Sequence, residues 1–260
     1  MIQPPLPKEL APIGIRRWLV RGWQSFWQTR WISIGFSSIF MLAAVIAYWL
    51  MLERGLGLIL YPFIAGFMVI APLLVTGFQH VGRLLSEGRP VRFVDLLLGV
   101  RHATPGIFFL VFVLCVCYLI WVTDALVIYG LYFGVEKVPL STELLTDPLL
   151  RDKLFSYLLF TGVMGLVIAL MGFVVGAFSI PLIMHQRLNF VAAVFASVAT
   201  VWRHKWLMCR WALTLAILVL LTLLIALPLL VVVLPVTAYA SYAAYVDLLE
   251  GPAEHLPAKE

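Results

Sequence analysis

Residues 211–246 have the sequence WALTLAILVLLTLLIALPLLVVVLPVTAYASYAAYV and contain no Asp, Glu, Lys or Arg. As one helix, these 36 residues would be about 54 Å long at a rise of ~1.5 Å per residue. A bilayer core of ~30 Å needs only about 20 residues. Pro228 lies near the middle of the run, where proline ends a helix and favours a turn. We therefore predict two membrane-spanning helices in this stretch.

Four other runs without charged residues are long enough to cross a bilayer once. All runs together predict six spans, near residues 31–52, 56–82, 104–124, 154–184, 205–227 and 229–248. The predicted domains are a lead with an interfacial helix (1–30), a transmembrane domain (31–249) and a tail (250–260). The predicted fold class is therefore an all-α, polytopic membrane bundle.

The composition supports this class and excludes several others. Of the 260 residues, 63% are apolar and 12% are charged, whereas soluble domains have ~45–50% and ~25%. So few charges cannot cover a water-exposed surface. A soluble enzyme, a disordered chain and a disulfide-rich secreted scaffold are all excluded.

The basic residues fall mainly on one side of the predicted bundle. With six spans, 14 of the 18 Lys and Arg residues lie on the side of the N-terminus. The positive-inside rule then places both termini in the cytoplasm. The net charge of +5 suits anionic lipid headgroups on that side. We predict the bilayer as the partner, and no nucleic acid, because no basic recognition module is visible.

Each predicted pair of spans follows a short segment with the pattern of an amphipathic helix at the membrane surface. These segments cover residues 16–31, 93–102 and 190–202, and Asn189 is the expected N-cap of the third. We predict three parallel repeats of an interfacial helix and a helical hairpin. The alternative is that interfacial tryptophans and helix prolines recur without any repeat.

The first of these segments, RRWLVRGWQSFWQTRW, has the clearest apolar face, formed by Leu19, Trp23, Phe26 and Trp27. Its last residues, Trp27–Trp31, resemble Trp202–Trp206. In both places two tryptophans are four residues apart, and a basic residue comes directly before the second tryptophan. Such residues are typical of membrane-interface anchors. The predicted anchors are Trp27, Arg30, Trp31, Trp202, Lys205 and Trp206.

Small residues and prolines are expected to shape the helices. In the fourth span, the pairs Gly165/Ala169 and Gly172/Gly176 have the spacing that lets another helix approach closely. The approaching helix is either within this bundle or in a second protein. Prolines are expected to kink the even-numbered spans, around a central cavity or around a packed core. These prolines are Pro72, Pro181 and Pro235.

Asp124 is the only acid in the apolar stretch 103–135, and an intramembrane carboxylate is a functional hypothesis by default. It lies about 30 Å along the third span, at the outer interface. There it is placed to pair with Arg54 or Lys137. The alternative is that its carboxylate holds a proton, a cation or a quinone headgroup.

Four histidines are expected where spans meet the cytoplasm: His80, His102, His185 and His204. Neutral imidazoles bind metals, so this layer is a candidate metal site. The competing interpretation is that these side chains face headgroups or cap helices, because no two share one helix face. None lies near the membrane midplane, which argues against a catalytic haem–copper oxidase subunit. We predict no cofactor.

The stretch YPFIAGFMVIAPLLVTGFQHVGRLLSEGRPVRF, residues 61–93, resembles the signature of a bacterial six-span membrane family of unknown function. Residues 178–206 and 231–249 also resemble that family, and the resemblance covers roughly residues 15–250. Some members carry the label cytochrome c oxidase subunit I. The resemblance implies a bacterial inner-membrane protein and brings no mechanism.

Three functions follow as hypotheses. The first is a non-catalytic accessory, assembly or scaffold component of a membrane complex, with a membrane-protein partner or a second copy of the chain. The second is a transporter or channel for a small solute or ion, motivated by the repeats and Asp124. The third is a metal- or haem-binding accessory to a respiratory oxidase. No phosphate-binding glycine loop or hydrolase motif occurs, so we predict no enzyme.

Overall fold

The computed structural model describes residues 14–54, 67–101, 104–134, 147–225 and 227–250, and these are almost entirely helical. The all-α, multi-helix prediction is confirmed. The helices are α1 (Ile15–Gln28), α2 (Arg30–Glu53), α3 (Phe67–Ser86), α4 (Phe93–Arg101), α5 (Pro105–Phe133), α6 (Pro148–Gln186), α7 (Phe190–Arg203), α8 (Lys205–Ile225) and α9 (Leu230–Tyr245). A 3-10 turn, Leu227–Leu229, precedes α9, and a π-helical turn, Val246–Glu250, follows it.

Five described helical segments are long and apolar enough to cross a membrane: α2, α5, α6, α8, and α9 together with the π-helical turn that follows it. The predicted break around Pro228 is found, because α8 ends before the 3-10 turn. The second predicted span overlaps α3, and its residues before 67 lie outside the described residues. The count of six spans therefore stays a prediction.

The helix α5 extends beyond the predicted third span, which ended at Asp124. The helix continues to Phe133 because residues 125–133 are apolar and contain no breaker. It ends at Gly134, whose φ of 70° is one that glycine adopts without strain. Asp124 thus lies inside the helix rather than at its end.

The helix α6 begins earlier than the predicted fourth span. It starts at Pro148, and the Asp147 side chain accepts a 2.9 Å hydrogen bond from the backbone N–H of Leu149. An acidic N-cap followed by proline is a strong start signal. The predicted span began later because it was drawn from a run without charged residues. Arg151, Asp152 and Lys153 lie in the first turns of the helix and precede that run.

The short helices α1, α4 and α7 lie where the interfacial segments were predicted, and Asn189 caps α7 by accepting from the Ala192 N–H. The order of one short and two long helices occurs three times. Single residues, Thr29 and His204, separate the short helix from the next one in the first and third units. This order agrees with a repeat, while internal symmetry stays a prediction.

The helix α9 is the centre of the bundle. In an 18-residue apolar stretch of Leu230–Glu250, 61% of the residues are buried inside the described bundle, against 6% in the corresponding stretch of α6. One cluster joins it to α1, α6, α7 and α8, with members such as Trp18, Phe178 and Met208. A second joins it to α1, α2, α3 and α4.

The first helix packs on α9 through a face that the sequence pattern did not single out. Trp18 and Gly22 are buried together with Phe26, while Trp23 and Trp27 are exposed. A Cβ on Gly22 would lie 2.5 Å from the Val236 carbonyl oxygen, so only glycine permits this approach. The predicted common face is therefore wrong for Phe26, which contacts protein, and the apolar arc divides into two faces.

Candidate functional site

An apolar cavity of about 330 Å³ lies between α3, α5, α6, α8 and α9. Its volume is at the lower end of small-molecule sites, which are ~300–1,000 Å³. The lining is mostly apolar, with Trp121 and Phe173 among its aromatic members. Ala169 lines the cavity and is exposed, so the cavity is open at the side of the bundle.

The small residues predicted to mediate helix packing all line this cavity. At one end, a Cβ on Gly165 would lie 2.6 Å from the Trp121 ring, so α5 packs directly on α6 there. A Cβ on Gly172 would lie 3.3 Å from Leu114. Around Gly176 nothing lies within 4 Å of that position. The row of small residues on α6 therefore lies against α5 at Gly165 and faces open space at Gly176.

One buried polar side chain at the wall of this cavity has an oxygen atom without a partner. Gln79, on α3, is 1% exposed and lines the cavity. Its Oε1 atom is buried and makes no hydrogen bond among the described residues. A buried amide oxygen is costly to leave unpaired. A ligand with one hydrogen-bond donor would relieve that cost.

Beside the cavity, a hydroxyl of α7 contacts the backbone of α6. The Ser197 hydroxyl, from α7, donates to the Val174 carbonyl at 2.8 Å and accepts from the Phe178 N–H at 3.2 Å. These are the two groups that a regular helix would pair with each other. A side chain inserted into the ladder is a recognised cause of helix bending. Pro181, which has no N–H, follows three residues later.

The other predicted kink sites are helix-interior prolines as well. Pro235 lies inside α9, where it is buried in the packed core. Pro72 lies within α3, and its side chain is outside the described part of the structure. Of the two prolines whose side chains the structure describes, Pro181 lines the apolar cavity and Pro235 does not.

A second, polar pocket of about 390 Å³ lies at the adjoining ends of α3 and α6 and the start of α5. Arg83 donates from Nε to Glu87 Oε1 at 2.9 Å, and Arg89 donates to Glu87 Oε2 at 3.4 Å. The hydrogen bond from Arg83 is the main reason that the pKa of Glu87 is lowered. Its carboxylate is therefore charged at neutral pH.

The structure separates the four predicted histidines. His80 and His185 both line the polar pocket, beside Met184. His204 ends α7 and is not part of that lining, and His102 lies outside the described residues. Within the described ranges, no three His, Cys, Asp or Glu side chains come together as metal ligands would. Among the three described histidines of the predicted layer, His80 and His185 share a pocket and His204 does not.

Asp124 is half-buried on α5. Within the described residues it forms no salt bridge, and Arg54 is not its partner as had been expected. Lys137, the other expected partner, lies outside those residues. Asp124 does not line the apolar cavity, although Trp121, one turn earlier, does.

The predicted interface anchors are all exposed: Trp27, Arg30, Trp31, Trp202, Lys205 and Trp206. The Arg30 guanidinium lies over two indoles, 5.4 Å from the Trp27 ring centroid and 5.7 Å from that of Trp31. Cation–π contacts of this kind leave the ring edges free. Exposed indoles at both junctions agree with the predicted membrane-interface role.

Sequence reasoning missed the ion cluster that holds α1 in place. Asp247, in the π-helical turn, accepts a 2.8 Å hydrogen bond from Arg21 and a 3.0 Å hydrogen bond from Trp18 Nε1. Arg17 lies 3.4 Å from the same carboxylate. The available signal was Asp247 itself, the only acid between residues 211 and 249.

Fold and cavities define a polytopic helical membrane protein with an apolar cavity beside a basic pocket. Residues 60–185 match the model of a family described as "Predicted integral membrane protein (DUF2189)", a domain of unknown function. The match begins shortly before α3 and ends in the last turn of α6, so it includes most residues of both pockets. No curated protein and no solved structure matches the chain.

Proposed function

We propose that the protein is a non-catalytic accessory component of the bacterial inner membrane that holds the apolar part of a lipid or similar amphiphile. The observation that carries this proposal is the apolar cavity, which opens at the side of the bundle beside Ala169. A cavity that opens within a bilayer is accessible to acyl chains, and its apolar lining suits them. Bound lipid would stabilise the bundle and any complex that it joins.

The accessory role is supported by the long, exposed apolar face of α6. The helix α6 has 39 residues, or about 58 Å at ~1.5 Å per residue, which exceeds a ~30 Å hydrocarbon core. Its exposed side chains include Phe155, Phe160 and Leu166. Such a long apolar face is suited to contact with a second membrane protein as well as with lipid.

Two glycines on α6 provide a matched test of the cavity. Gly176→Leu places a side chain in the cavity, where nothing lies within 4 Å of the new Cβ. Gly162→Leu adds the same side chain at an exposed position, also with nothing within 4 Å, outside the cavity. The proteins are purified in native lipid discs, released and analysed by native mass spectrometry.

We expect a stoichiometric amphiphile on the wild-type protein and on Gly162→Leu, and its loss from Gly176→Leu. The same bound molecules on all three proteins would contradict the proposal. A small polar solute, lost only from Gly176→Leu, would instead support the carrier hypothesis. Gln79, Tyr118 and Ser241 are among the polar residues that line the cavity and that such a solute would meet.

The orientation is tested separately, in a chain whose three cysteines are replaced. A cysteine at Arg203 would lie on the side rich in Lys and Arg, and a cysteine at Asp152 on the opposite side; both positions are exposed. By the positive-inside rule, a membrane-impermeant maleimide added to intact spheroplasts should label only the Asp152 variant. Labelling of the Arg203 variant alone would reverse the proposed orientation.

A further inference from the structure

The polar pocket contains more positive than negative charge. Arg83, Arg89 and Arg187 line it together with a single carboxylate, that of Glu87. Both oxygens of Glu87 are already used by the first two arginines. Arg187 has no ion-pair partner within the described ranges. An anion is therefore the charge that the pocket lacks.

Two further polar atoms at this pocket are buried without a partner. They are the Thr104 hydroxyl oxygen and His185 Nε2, neither of which makes a hydrogen bond among the described residues. Thr104 is also the N-cap of α5, and its side chain makes no capping hydrogen bond. The first N–H groups of a helix lack intrahelical acceptors and lie at the positive end of its dipole. In α5, Pro105 has no N–H, and the N–H groups of Ile107 and Phe108 already donate to the Thr104 carbonyl. An anion here would therefore be held by the Thr104 hydroxyl, His185 Nε2 and the positive end of the helix dipole.

A purely structural role accounts for only part of this arrangement. Arg83 lies in the last turn of α3 and Arg187 follows the last turn of α6, where cations offset the helix dipole. That role requires only exposed charges. It gives no reason to bury Thr104 Oγ1 and His185 Nε2 unpaired beside them.

The polar pocket adjoins the apolar cavity along two helices. On α3, Gln79 lines the cavity and the next residue, His80, lines the pocket. On α6, Pro181 lines the cavity, and Met184, one turn later, lines the pocket. A ligand that fills both sites has an anionic head and an apolar chain.

We propose that the polar pocket binds the phosphate group of an anionic phospholipid whose acyl chain lies in the apolar cavity. This inference rests on the proposed function and adds the chemistry of the headgroup. Arg187 supplies the unpaired charge. Neutral His185, in the tautomer that carries its proton on Nε2, donates a hydrogen bond, and the Thr104 hydroxyl donates another. Phosphate oxygens accept such bonds from guanidinium groups with good geometry.

The test compares headgroup preference in the wild-type protein, Arg187→Gln and Arg203→Gln. Arg203 is a matched control because it is exposed, lies on the same side of the bundle and does not line the pocket. Each protein in detergent receives equimolar phosphatidylglycerol and phosphatidylcholine with identical acyl chains. Native mass spectrometry then gives the ratio of the two bound lipids.

We expect the wild-type protein and Arg203→Gln to retain phosphatidylglycerol preferentially. Arg187→Gln should lower that preference about tenfold, which is typical of losing one charged hydrogen bond. No preference in the wild-type protein, or an equal loss in Arg203→Gln, would overturn the headgroup site. The proposed function would survive that result if Gly176→Leu still removed the lipid.

A third arm separates lipid from free phosphate and does not depend on any arginine variant. Inorganic phosphate is titrated onto the wild-type protein, with and without phosphatidylglycerol. Displacement of the phosphate by the lipid supports a headgroup site. Phosphate that binds tightly and is not displaced would show that the ligand is a free anion, and would overturn the lipid assignment.

Discussion

Gly22 on α1 and Gly176 on α6 are the same residue in helices of one bundle, and their surroundings are opposite. A Cβ on Gly22 would meet the backbone of α9 at 2.5 Å. A Cβ on Gly176 would meet nothing within 4 Å. Small residues therefore serve close packing in one place and leave a cavity in the other. A small-residue spacing in a sequence predicts neither outcome by itself.

The largest expected effect is that of Gly22→Leu. The new side chain must displace α1 from α9, and overpacking against backbone costs about 3 kcal/mol or more. We expect a clearly lower melting temperature in detergent. Gly162→Leu, in open space, is the control and should melt like the wild-type protein. Equal melting of all three would show that α1 does not depend on this contact.

Asp247→Asn should also weaken the packing of α1 in the bundle, but by less than Gly22→Leu does. The carboxylate is buried, but its partners Arg17 and Arg21 are partly exposed, so solvent screens the ion pairs. We expect a loss of about 2 kcal/mol, mostly from charged hydrogen bonds. Asp152→Asn, at an exposed ion pair with Arg151, is the control and should change little. Equal effects of the two changes would mean that the cluster contributes only surface electrostatics.

Ser197→Ala is expected to have a smaller effect on stability. It tests the region around Gly176, where the small residues border the cavity. Without the hydroxyl, the Phe178 N–H can bond directly to the Val174 carbonyl, so the net cost is about 1 kcal/mol. The cavity should change shape because α7 loses its two hydrogen bonds to the backbone of α6. We expect a clear loss of retained lipid and only a small decrease in the melting temperature. Thr214→Ala, which removes an exposed hydroxyl bonded within its own helix, is the control.

The smallest effect on stability is expected for Gly176→Leu in lipid-free detergent. The helix propensity of leucine exceeds that of glycine by ~0.8 kcal/mol. Nothing lies within 4 Å of the new Cβ. Melting should be unchanged or slightly raised, whereas lipid binding is lost. A large destabilisation would mean that Gly176 is a packing residue like Gly22.

Local patterns predicted much of the fold. Apolar runs and Pro228 indicated the long helices, and Asn189 marked the start of α7. The helices extend beyond the predicted spans where a charge was taken as a boundary, at Asp124 and before residue 154. Within an apolar helix one acid is tolerated, and a capping pair such as Asp147 and Pro148 outweighs nearby charges.

The candidate site was much harder to predict. The small residues of α6 were identified, but their role depends on which neighbours approach them. Trp18 and Asp247 are 229 residues apart, so no periodicity connects them. Gln79 is an ordinary polar residue in sequence, and only its burial without a partner indicates a ligand.

The contact between Trp18 and Asp247 also has a consequence for the time course of biosynthesis. The chain between them takes roughly 10–45 s to make at ~5–20 residues per second. Throughout that interval α1 has been synthesised and its partner has not. The exposed indoles of Trp23 and Trp27 can hold the helix at the bilayer surface meanwhile. Emergence of α9 is then the event that closes the bundle.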